Sequence, residues 1–136
     1  MHKISDNWTS GAVIRNLRPF RNLCGPDAMP NVVIATTMWG EVEENVGEQR
    51  EQELKRYFWN QMVADGCTTE RFGNTFESAW GIINIMQNNT ATTLQIHTEM
   101  GVAGKLLHNT AAGIQTNNET TKVSTSLMSK FRNLLR

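Results

Sequence analysis

The stretch Thr36–Gly40 holds the residues best placed for chemistry. It follows the apolar run Val32–Ala35, in which three of the four residues are β-branched, and the whole segment lies between Pro30 and Gly40. This pattern predicts a short strand that is buried on both faces inside a parallel sheet. Ligands of open parallel sheets bind beyond the carboxyl ends of the strands. The predicted site is therefore the loop that leaves this strand. The types and spacing of the residues in this loop do not identify a particular reaction.

The other residues with catalytic or metal-binding chemistry form no recognised motif. The three histidines are far apart and lack HExxH or HxH spacing, so no metal site is predicted. Ser78 does not lie in a GxSxG pattern, and Cys67 has no neighbouring base. Cys24 and Cys67 form no CxxC pair, which favours reduced thiols in a cytoplasmic protein.

Length and charge limit the class of protein. The chain has 136 residues, enough for one domain with a real core. Its 13 basic and 13 acidic residues cancel, so the electrostatic signature of a dedicated nucleic-acid binder is missing. The chain opens without a secretory-leader pattern, and its apolar runs are too short to span a membrane. We therefore expect a cytoplasmic protein that does not bind nucleic acid.

The acidic segment after Gly40 predicts a helix over 46–65. Asn45 and Glu48 have the spacing of a capping box, Glu51 and Lys55 are an i,i+4 pair, and Gly66 ends the pattern. The residues at helical spacing that form the predicted buried stripe are Val46, Leu54, Phe58 and Met62. We interpret the glutamates of this helix as a solvated face rather than a metal or partner site.

The flanking segments complete an alternation of helices and strands. A first helix begins at a Ser10 cap and should kink or break before Pro19. Residues 67–72 favour a weak strand. A helix over 75–87 places its apolar residues at three- and four-residue intervals and should dock on the sheet through Phe76, Trp80, Ile83 and Met86. Helix, strand, helix, strand, helix is the order of an α/β unit.

The C-terminal third has a different character. A helix over about 92–108 is plausible, although Gly101 and Gly104 weaken it and Leu94 could start a strand instead. Residues 109–126 are rich in Thr, Asn and Ser, which predicts a linker without order. Residues 127–136 form a short basic amphipathic helix. It could contact a membrane surface, a partner groove or its own domain.

Three stretches in order resemble the second half of a fungal P-loop GTPase-type domain: Asn31–Gly40, the Glu-rich Gly47–Leu54, and Asn74–Trp80. The family is that of mushroom G-domain proteins, which are related to immunity-associated and septin-like GTPases. The resemblance covers residues 1–87 and, more loosely, 91–113. It implies a partial three-layer, P-loop NTPase-like (Rossmann-like) unit with a short parallel sheet over 1–88. A helical extension over 89–136 would follow, with the linker at 109–126.

The resemblance also implies a nucleotide site with two parts. Thr37, Met38, Trp39 and Gly40 fall on the base-recognition motif, usually written [NT]KxD, and Ser78, Ala79 and Trp80 fall on the Ser-Ala motif whose backbone faces guanine. Gly40 replaces the Asp that would read guanine N1 and N2, so guanine is not distinguished from other bases. GTP or GDP is the implied ligand.

The phosphate half of such a site is missing from this sequence. No GxxxxGK[ST] run occurs, so magnesium binding and phosphoryl transfer are not expected. We therefore predict a weak nucleotide binder or pseudo-GTPase that does not hydrolyse its ligand. The alternative is a non-enzymatic interaction module that forms a homodimer or binds a partner protein. For Trp39, Trp59 and Trp80 we favour packing over base stacking, with Trp39 and Trp80 the better stacking candidates.

Overall fold

Three parallel strands form the centre of the fold. The computed structural model describes residues 1–6 and 12–134, and for residues 12–16, 127, 128 and 130–134 it describes the backbone alone. The strands are β1 (His2–Lys3), β2 (Val33–Thr37) and β3 (Thr68–Arg71), in the order β1-β2-β3. The predicted central strand is confirmed, since β2 pairs with both neighbours. The weak strand after Cys67 is confirmed as well.

The register assigns the strand side chains to two faces. His2 pairs with Thr36 and Lys3 with Thr37 on one side of β2, while Thr36 pairs with Arg71 on the other. Because side chains alternate along a strand, His2, Thr36 and Arg71 share one face of the sheet. Lys3 and Thr37 belong to the opposite face.

Helices cover the first of these faces. They are α1 (Ala12–Cys24), α2 (Glu44–Tyr57) and α3 (Asn60–Ala64). Their apolar side chains and those of the 3₁₀ turn Pro26–Asn31 join the strands in one core. The fully or nearly buried members of this core are Ile4, Cys24, Ala28, Met29, Ile34, Leu54, Trp59, Met62 and Cys67. The prediction of an α/β unit with a short parallel sheet is thus confirmed at this level.

The first helix differs from the prediction at Pro19. The expected Ser10 cap lies outside the described residues. Pro19 lies inside α1, and the helix continues through it to Cys24. A proline removes one backbone hydrogen bond from a helix, and here packing of α1 against the C-terminal helix keeps the segment helical.

The predicted helix over 46–65 is divided in two at Phe58 and Trp59. The N–H groups of both residues donate to the carbonyl of Leu54, at 2.9 and 2.8 Å, which closes α2 with a tight turn. The turn places the Trp59 ring in the core at 1% exposure, edge-on to His2. Burial of this large side chain overrides the continuous helical pattern, because an aromatic ring contributes more apolar contact than any other residue.

The first residue of α2 and the burial of its apolar residues also differ from the prediction. The helix begins at Glu44, with Glu43 as its N-cap, so Asn45 and Glu48 do not form a capping box. The Asn45 side chain instead accepts a hydrogen bond from the N–H of Val46 at 2.7 Å. Leu54 and Met62 are buried as expected, whereas Val46 is 39% exposed.

The helix predicted over 75–87 is present as α4 (Phe76–Gln87). Thr75 caps it, and Thr75 and Ser78 exchange side-chain hydrogen bonds with each other's backbone N–H in a capping box. α4 contacts β2. None of the buried core residues listed above belongs to α4. Ala35 lies on the face of β2 opposite to Ile34 and is nevertheless buried, so another element must cover that face. We therefore place α4 on the face of the sheet opposite to α1, α2 and α3.

The docking of α4 differs from the prediction. The four residues expected to be buried, Phe76, Trp80, Ile83 and Met86, are each 43% or more exposed. The half-buried positions are Ala79, Ile82 and Ile85 instead. The apolar residues of α4 extend over more than half of its circumference, with Glu77, Gly81 and Asn84 on the remaining side, so the periodicity did not identify which residues meet the sheet.

Side-chain amides fasten the C-terminal end of α4 to the segment before β2. Asn89 Nδ2 donates to the carbonyl of Pro30 at 2.9 Å, and Asn31 Nδ2 donates to the carbonyl of Thr90 at 2.8 Å. We call this reciprocal pair the amide clasp. The clasp ties the C-terminal end of α4 to the rest of the fold, and the Thr75 cap closes its N-terminal turn.

The C-terminal third is helical where the sequence predicted a linker. The helix predicted over 92–108 is reduced to α5 (Gln95–His97), a π-helical turn Thr98–Val102 and a 3₁₀ turn Leu107–Asn109. In contrast, α6 extends over Ala111–Leu134 and packs against α1, so residues 111–126 are not a disordered linker. The division into parts at 1–88 and 89–136 stays a prediction.

Capping explains why this Thr- and Asn-rich stretch forms a helix. Thr110 is fully buried, and its hydroxyl accepts the N–H of Gly113 at 3.1 Å, while Glu99 accepts the N–H of Ala111 at 2.9 Å. The hydrogen bond from the Ala111 N–H is the main cause that lowers the pKa of Glu99. Threonine hydroxyls within α6 donate to carbonyls four residues earlier, which satisfies them inside the helix; they belong to Thr116, Thr120, Thr121 and Thr125.

Candidate functional site

A cleft of about 610 Å³ lies at the carboxyl edge of the sheet. Its volume is within the range of small-molecule sites, and its position is the one at which open parallel sheets bind ligands. The ends of all three strands contribute to it. The lining residues are Met1, Lys3, Thr37, Met38, Trp39, Gly40, Glu41, Phe72, Gly73 and Asn74.

The loop predicted from the sequence forms one wall of this cleft. Met38 has a left-handed backbone with φ 64°, and a 3₁₀ turn over Trp39–Glu41 follows. The left-handed residue reverses the chain directly after β2, which leaves the Met38 side chain 43% exposed. A side chain at Gly40 would meet no atom within 4 Å, so the backbone there is open. The structure thus brings Thr37, Met38, Trp39 and Gly40 together in the cleft.

Thr37 is largely engaged with the sheet. Its residue is 9% exposed, and its hydroxyl donates to the carbonyl of His2 at 3.4 Å. The hydrogen bond joins β2 to β1 beside the cleft. Thr37 therefore contributes mainly shape to the wall.

The second wall is the segment Phe72–Asn74, which leaves β3. Asn74 also has a left-handed backbone, with φ 59°. Two hydrogen bonds of the Ser78 hydroxyl organise this wall, because it accepts the N–H of Gly73 at 3.2 Å and the N–H of Thr75 at 3.3 Å. The wall is therefore built on the first turn of α4.

The second predicted motif lies next to the cleft and does not line it. Ser78 supports the Phe72–Asn74 wall from behind, through the hydrogen bonds just given. Trp80 is 48% exposed and stacks on Phe76, with 6.1 Å between ring centroids and 8° between ring planes. The expectation that Ser78, Ala79 and Trp80 line the same hollow as Thr37–Gly40 is not what the structure shows; Phe72, Gly73 and Asn74 occupy that wall.

Trp39 is held by a network on the α2 side of the strand ends. Its indole Nε1 donates to the Thr36 hydroxyl at 3.0 Å, and the Thr36 hydroxyl donates to the carbonyl of Glu70 at 3.2 Å. Thr36 is fully buried. The Arg71 guanidinium lies 4.0 Å from the centroid of the Trp39 ring, which is the geometry of a cation–π contact.

Arg71 is itself fixed by glutamates of α2. Its Nε and Nη2 donate to Glu51 Oε2 at 3.1 and 2.7 Å, and its Nη1 lies 3.5 Å from Glu48 Oε1. The hydrogen bond to Glu51 is the main cause that raises the pKa of Arg71. Glu51 is 5% exposed and also contacts Lys55 at 3.7 Å. The i,i+4 pair is therefore confirmed, whereas the interpretation of Glu51 as part of a solvated face is wrong.

The charged side chains of the cleft lining are balanced. Lys3 and Glu41 bring one side-chain charge of each sign. His2 lies behind the cleft on the other face of β1, where its ring packs against Trp59 with 5.5 Å between centroids. Burial lowers the pKa of His2, and its buried Nδ1 has no hydrogen-bond partner among the described residues. We therefore expect a neutral imidazole near pH 7.

Other reactive groups are buried away from this site. Burial raises the pKa of the Cys24 thiol, and it raises the pKa of Cys67 to about 11. Thiols with such pKa values are mainly protonated and are poor nucleophiles near neutral pH. Within residues 1–6 and 12–134, no group of three or more His, Cys, Asp or Glu side chains is arranged to hold a metal ion. Over the same residues, no helix combines the length and apolarity needed to cross a bilayer.

The sequence prediction missed Lys3, Arg71, Phe72 and Asn74. A signal for the last two was present, since Phe72 ends the predicted strand at 67–72 and Asn74 follows it, as Met38 follows β2. Strands that run parallel end at one edge, so both exits belong to one site.

The chain matches no protein-family model, and comparisons with curated proteins and with solved structures give no match.

Proposed function

We propose that the cleft binds the base of a purine nucleotide, with GTP or GDP as the ligand suggested by the sequence resemblance, and that the chain does not hydrolyse it. The observation that supports this proposal is the convergence of two strand exits. The Met38–Gly40 loop leaves the central strand and faces the Phe72–Asn74 segment across one cleft. This arrangement is consistent with a P-loop NTPase-like fold.

The chemistry of the walls suits a planar heterocycle. Met38 and Phe72 provide apolar surface that can contact the flat faces of a ring. The Asn74 amide has both a donor and an acceptor and could pair with the edge of a base. Gly40 offers only backbone groups, so we expect little discrimination between guanine and adenine.

The charges of the lining favour weak binding without phosphoryl transfer. Phosphate sites of P-loop enzymes combine backbone N–H groups with a Lys and magnesium. In this cleft Lys3 is accompanied by Glu41, and the sequence has no GxxxxGK[ST] run. We therefore expect affinity to depend on the base more than on the number of phosphates, and magnesium to have little effect.

Titration of the intrinsic tryptophan fluorescence tests this function. We expect guanosine, GDP, GTP and ATP to change the emission at high micromolar to millimolar concentrations. Asn74→Ala should weaken binding, whereas Asn84→Ala, which changes an exposed residue of α4, should not. Absence of any change up to millimolar ligand, confirmed by calorimetry, would contradict the proposal.

A second candidate function is self-association through α4. The α4 stripe, defined as Phe76, Trp80, Ile83 and Met86, is 43–75% exposed. Contiguous exposed apolar side chains of this kind mark surfaces that bind another protein. Glu77 is the single charged residue of α4, so two copies could pack stripe to stripe with little repulsion.

The area of the stripe sets the expected strength of such a dimer. Its exposed side chains amount to about 400 Å² per copy. Two copies would bury about 800 Å² in total, below the roughly 1,200 Å² at which standard specific interfaces begin, so at most a weak, transient dimer is expected. Sedimentation equilibrium should show concentration-dependent association that Ile83→Glu abolishes and Val46→Glu, at an exposed position of α2, leaves unchanged. A concentration-independent monomer would contradict this candidate.

A further inference from the structure

Trp39 connects the cleft to the charged residues of α2. Trp39 is half-buried and is one of the residues that line the cleft, while its ring contacts Arg71, Thr36 and Gly47, which lie outside the lining. A Cβ built at Gly47 would lie 2.8 Å from Trp39 Cζ3, so the ring is in close contact with the α2 backbone. Any change in this contact must move the ring.

Arg71 lies between Trp39 and the buried carboxylate. Its guanidinium covers the Trp39 ring at 4.0 Å while two of its nitrogens bind one oxygen of Glu51. The planar group is therefore held in orientation by Glu51 and in turn restrains the indole. Lysine has no planar face and only a point charge, and it would not reproduce both contacts.

We propose that Arg71 is a positioning residue of the cleft, which, together with Glu51, holds Trp39 in place and thereby sets the shape of the Met38–Gly40 wall. Arg71 itself is outside the lining, so it acts through Trp39 rather than by touching a ligand. The part of this inference that concerns ligand affinity rests on the proposed function. The part that concerns the wall does not.

Two variants disturb Trp39 by different routes. Arg71→Lys keeps the positive charge near Glu51 and removes the planar contact. Gly47→Ala leaves Arg71 and Glu51 unchanged and pushes the ring directly, because the added methyl would lie within 3 Å of it. Alanine also favours helix more than glycine does, so a loss of helix stability is not expected from this change. Arg56→Lys, at an exposed position of α2, is the matched control.

Nuclear magnetic resonance of the full chain reports the wall without a ligand. The chain has four tryptophans, and Trp39→Phe identifies which indole N–H signal belongs to Trp39. We expect Arg71→Lys and Gly47→Ala to shift that signal and the backbone amide signal of Gly40, and to speed hydrogen exchange at the indole N–H. Arg56→Lys should change neither. Unchanged Trp39 and Gly40 signals in Arg71→Lys would overturn the proposal.

Guanosine titration of the same variants tests the effect on binding. We expect both Arg71→Lys and Gly47→Ala to weaken binding about tenfold, in titrations made under conditions where far-ultraviolet circular dichroism shows that each variant is folded. If the parent binds guanosine and both variants bind it equally well, the proposal is overturned even if the signals move. If the parent does not bind, the proposed function fails, and the Trp39 and Gly40 signals alone decide the role of Arg71.

Discussion

Replacement of Thr36 by Val isolates the hydrogen bonds beneath the cleft from the packing around them. The two side chains are similar in volume, and Thr36 is fully buried. The change removes the bond from Trp39 Nε1 at 3.0 Å and the bond to the Glu70 carbonyl at 3.2 Å. It leaves Arg71, Glu51 and the remaining core in place.

The expected loss follows from the two hydrogen bonds. Each contributes about 0.5–1.5 kcal/mol net, and the added methyl recovers up to about 0.8 kcal/mol through apolar burial. Because Trp39 is half-buried, water can partly satisfy its N–H. We therefore expect Thr36→Val to lower the free energy of unfolding by about 1–2 kcal/mol.

Urea unfolding followed by far-ultraviolet circular dichroism measures this loss. Thr68→Val is the matched control, since Thr68 is an exposed residue of β3, and we expect its effect to stay within about 0.5 kcal/mol. Equal free energies of unfolding for Thr36→Val and the control would refute the assignment of a buried network to Thr36. A gain in stability for Thr36→Val would refute it as well.

Three further predictions concern pH, thiol reactivity and the C-terminal helix. Burial lowers the pKa of His2 below 6.5, so below that pH the unfolded chain binds a proton more readily than the folded chain does. The free energy of unfolding should therefore be full above pH 6.5 and decrease below it. His2→Phe should reduce this decrease, measured as the difference between urea midpoints at about pH 5 and pH 7.5. Cys24 and Cys67 are buried with raised pKa values, so a thiol reagent at neutral pH should react slowly with the folded chain and fast in urea, and rapid reaction without denaturant would contradict their burial. Thr110→Ala removes the cap that accepts the Gly113 N–H and should cost about 1–2 kcal/mol in urea unfolding, whereas Thr120→Ala, at an exposed position of α6, should cost less.

The parts of the fold that could be predicted are those that depend on local chemistry. Val32–Ala35 identified β2 because a run of β-branched residues between a proline and a glycine has few alternatives. The start of α4 followed from the apolar periodicity that begins at Phe76, and the structure adds that Thr75 caps this helix. The site loop at Thr37–Gly40 then followed from the general position of ligands in parallel sheets.

The parts that could not be predicted depend on contacts between distant residues. Trp59 ends α2 because its ring fits beside His2, 57 positions earlier in the chain, and sequence periodicity does not contain that contact. Glu51 appeared solvated because its partner Arg71 lies on a different element. Residues 111–126 appeared disordered because composition does not show the Glu99 carboxylate, which caps α6 from the π-helical turn Thr98–Val102.

For the same reason, only one of the two walls of the site was predicted. Met38 and Gly40 were found because the strand before them is distinctive in sequence. Asn74 was missed because β3, Thr68–Arg71, is polar and weakly patterned. The geometry of the second wall comes from Ser78 bonding back to Gly73, which requires the helix to be already in place.

The amide clasp has a consequence for how this protein could change over time. Asn31 and Asn89 secure the C-terminal end of α4, and Ala79, Ile82 and Ile85 are its half-buried apolar residues, so the position of the helix depends little on the side chains along its outer surface. Substitutions on this outer surface would change which partner the protein binds, while the strands beneath α4 keep their positions. The outer surface of α4 is thus free to acquire or lose a binding partner independently of the cleft.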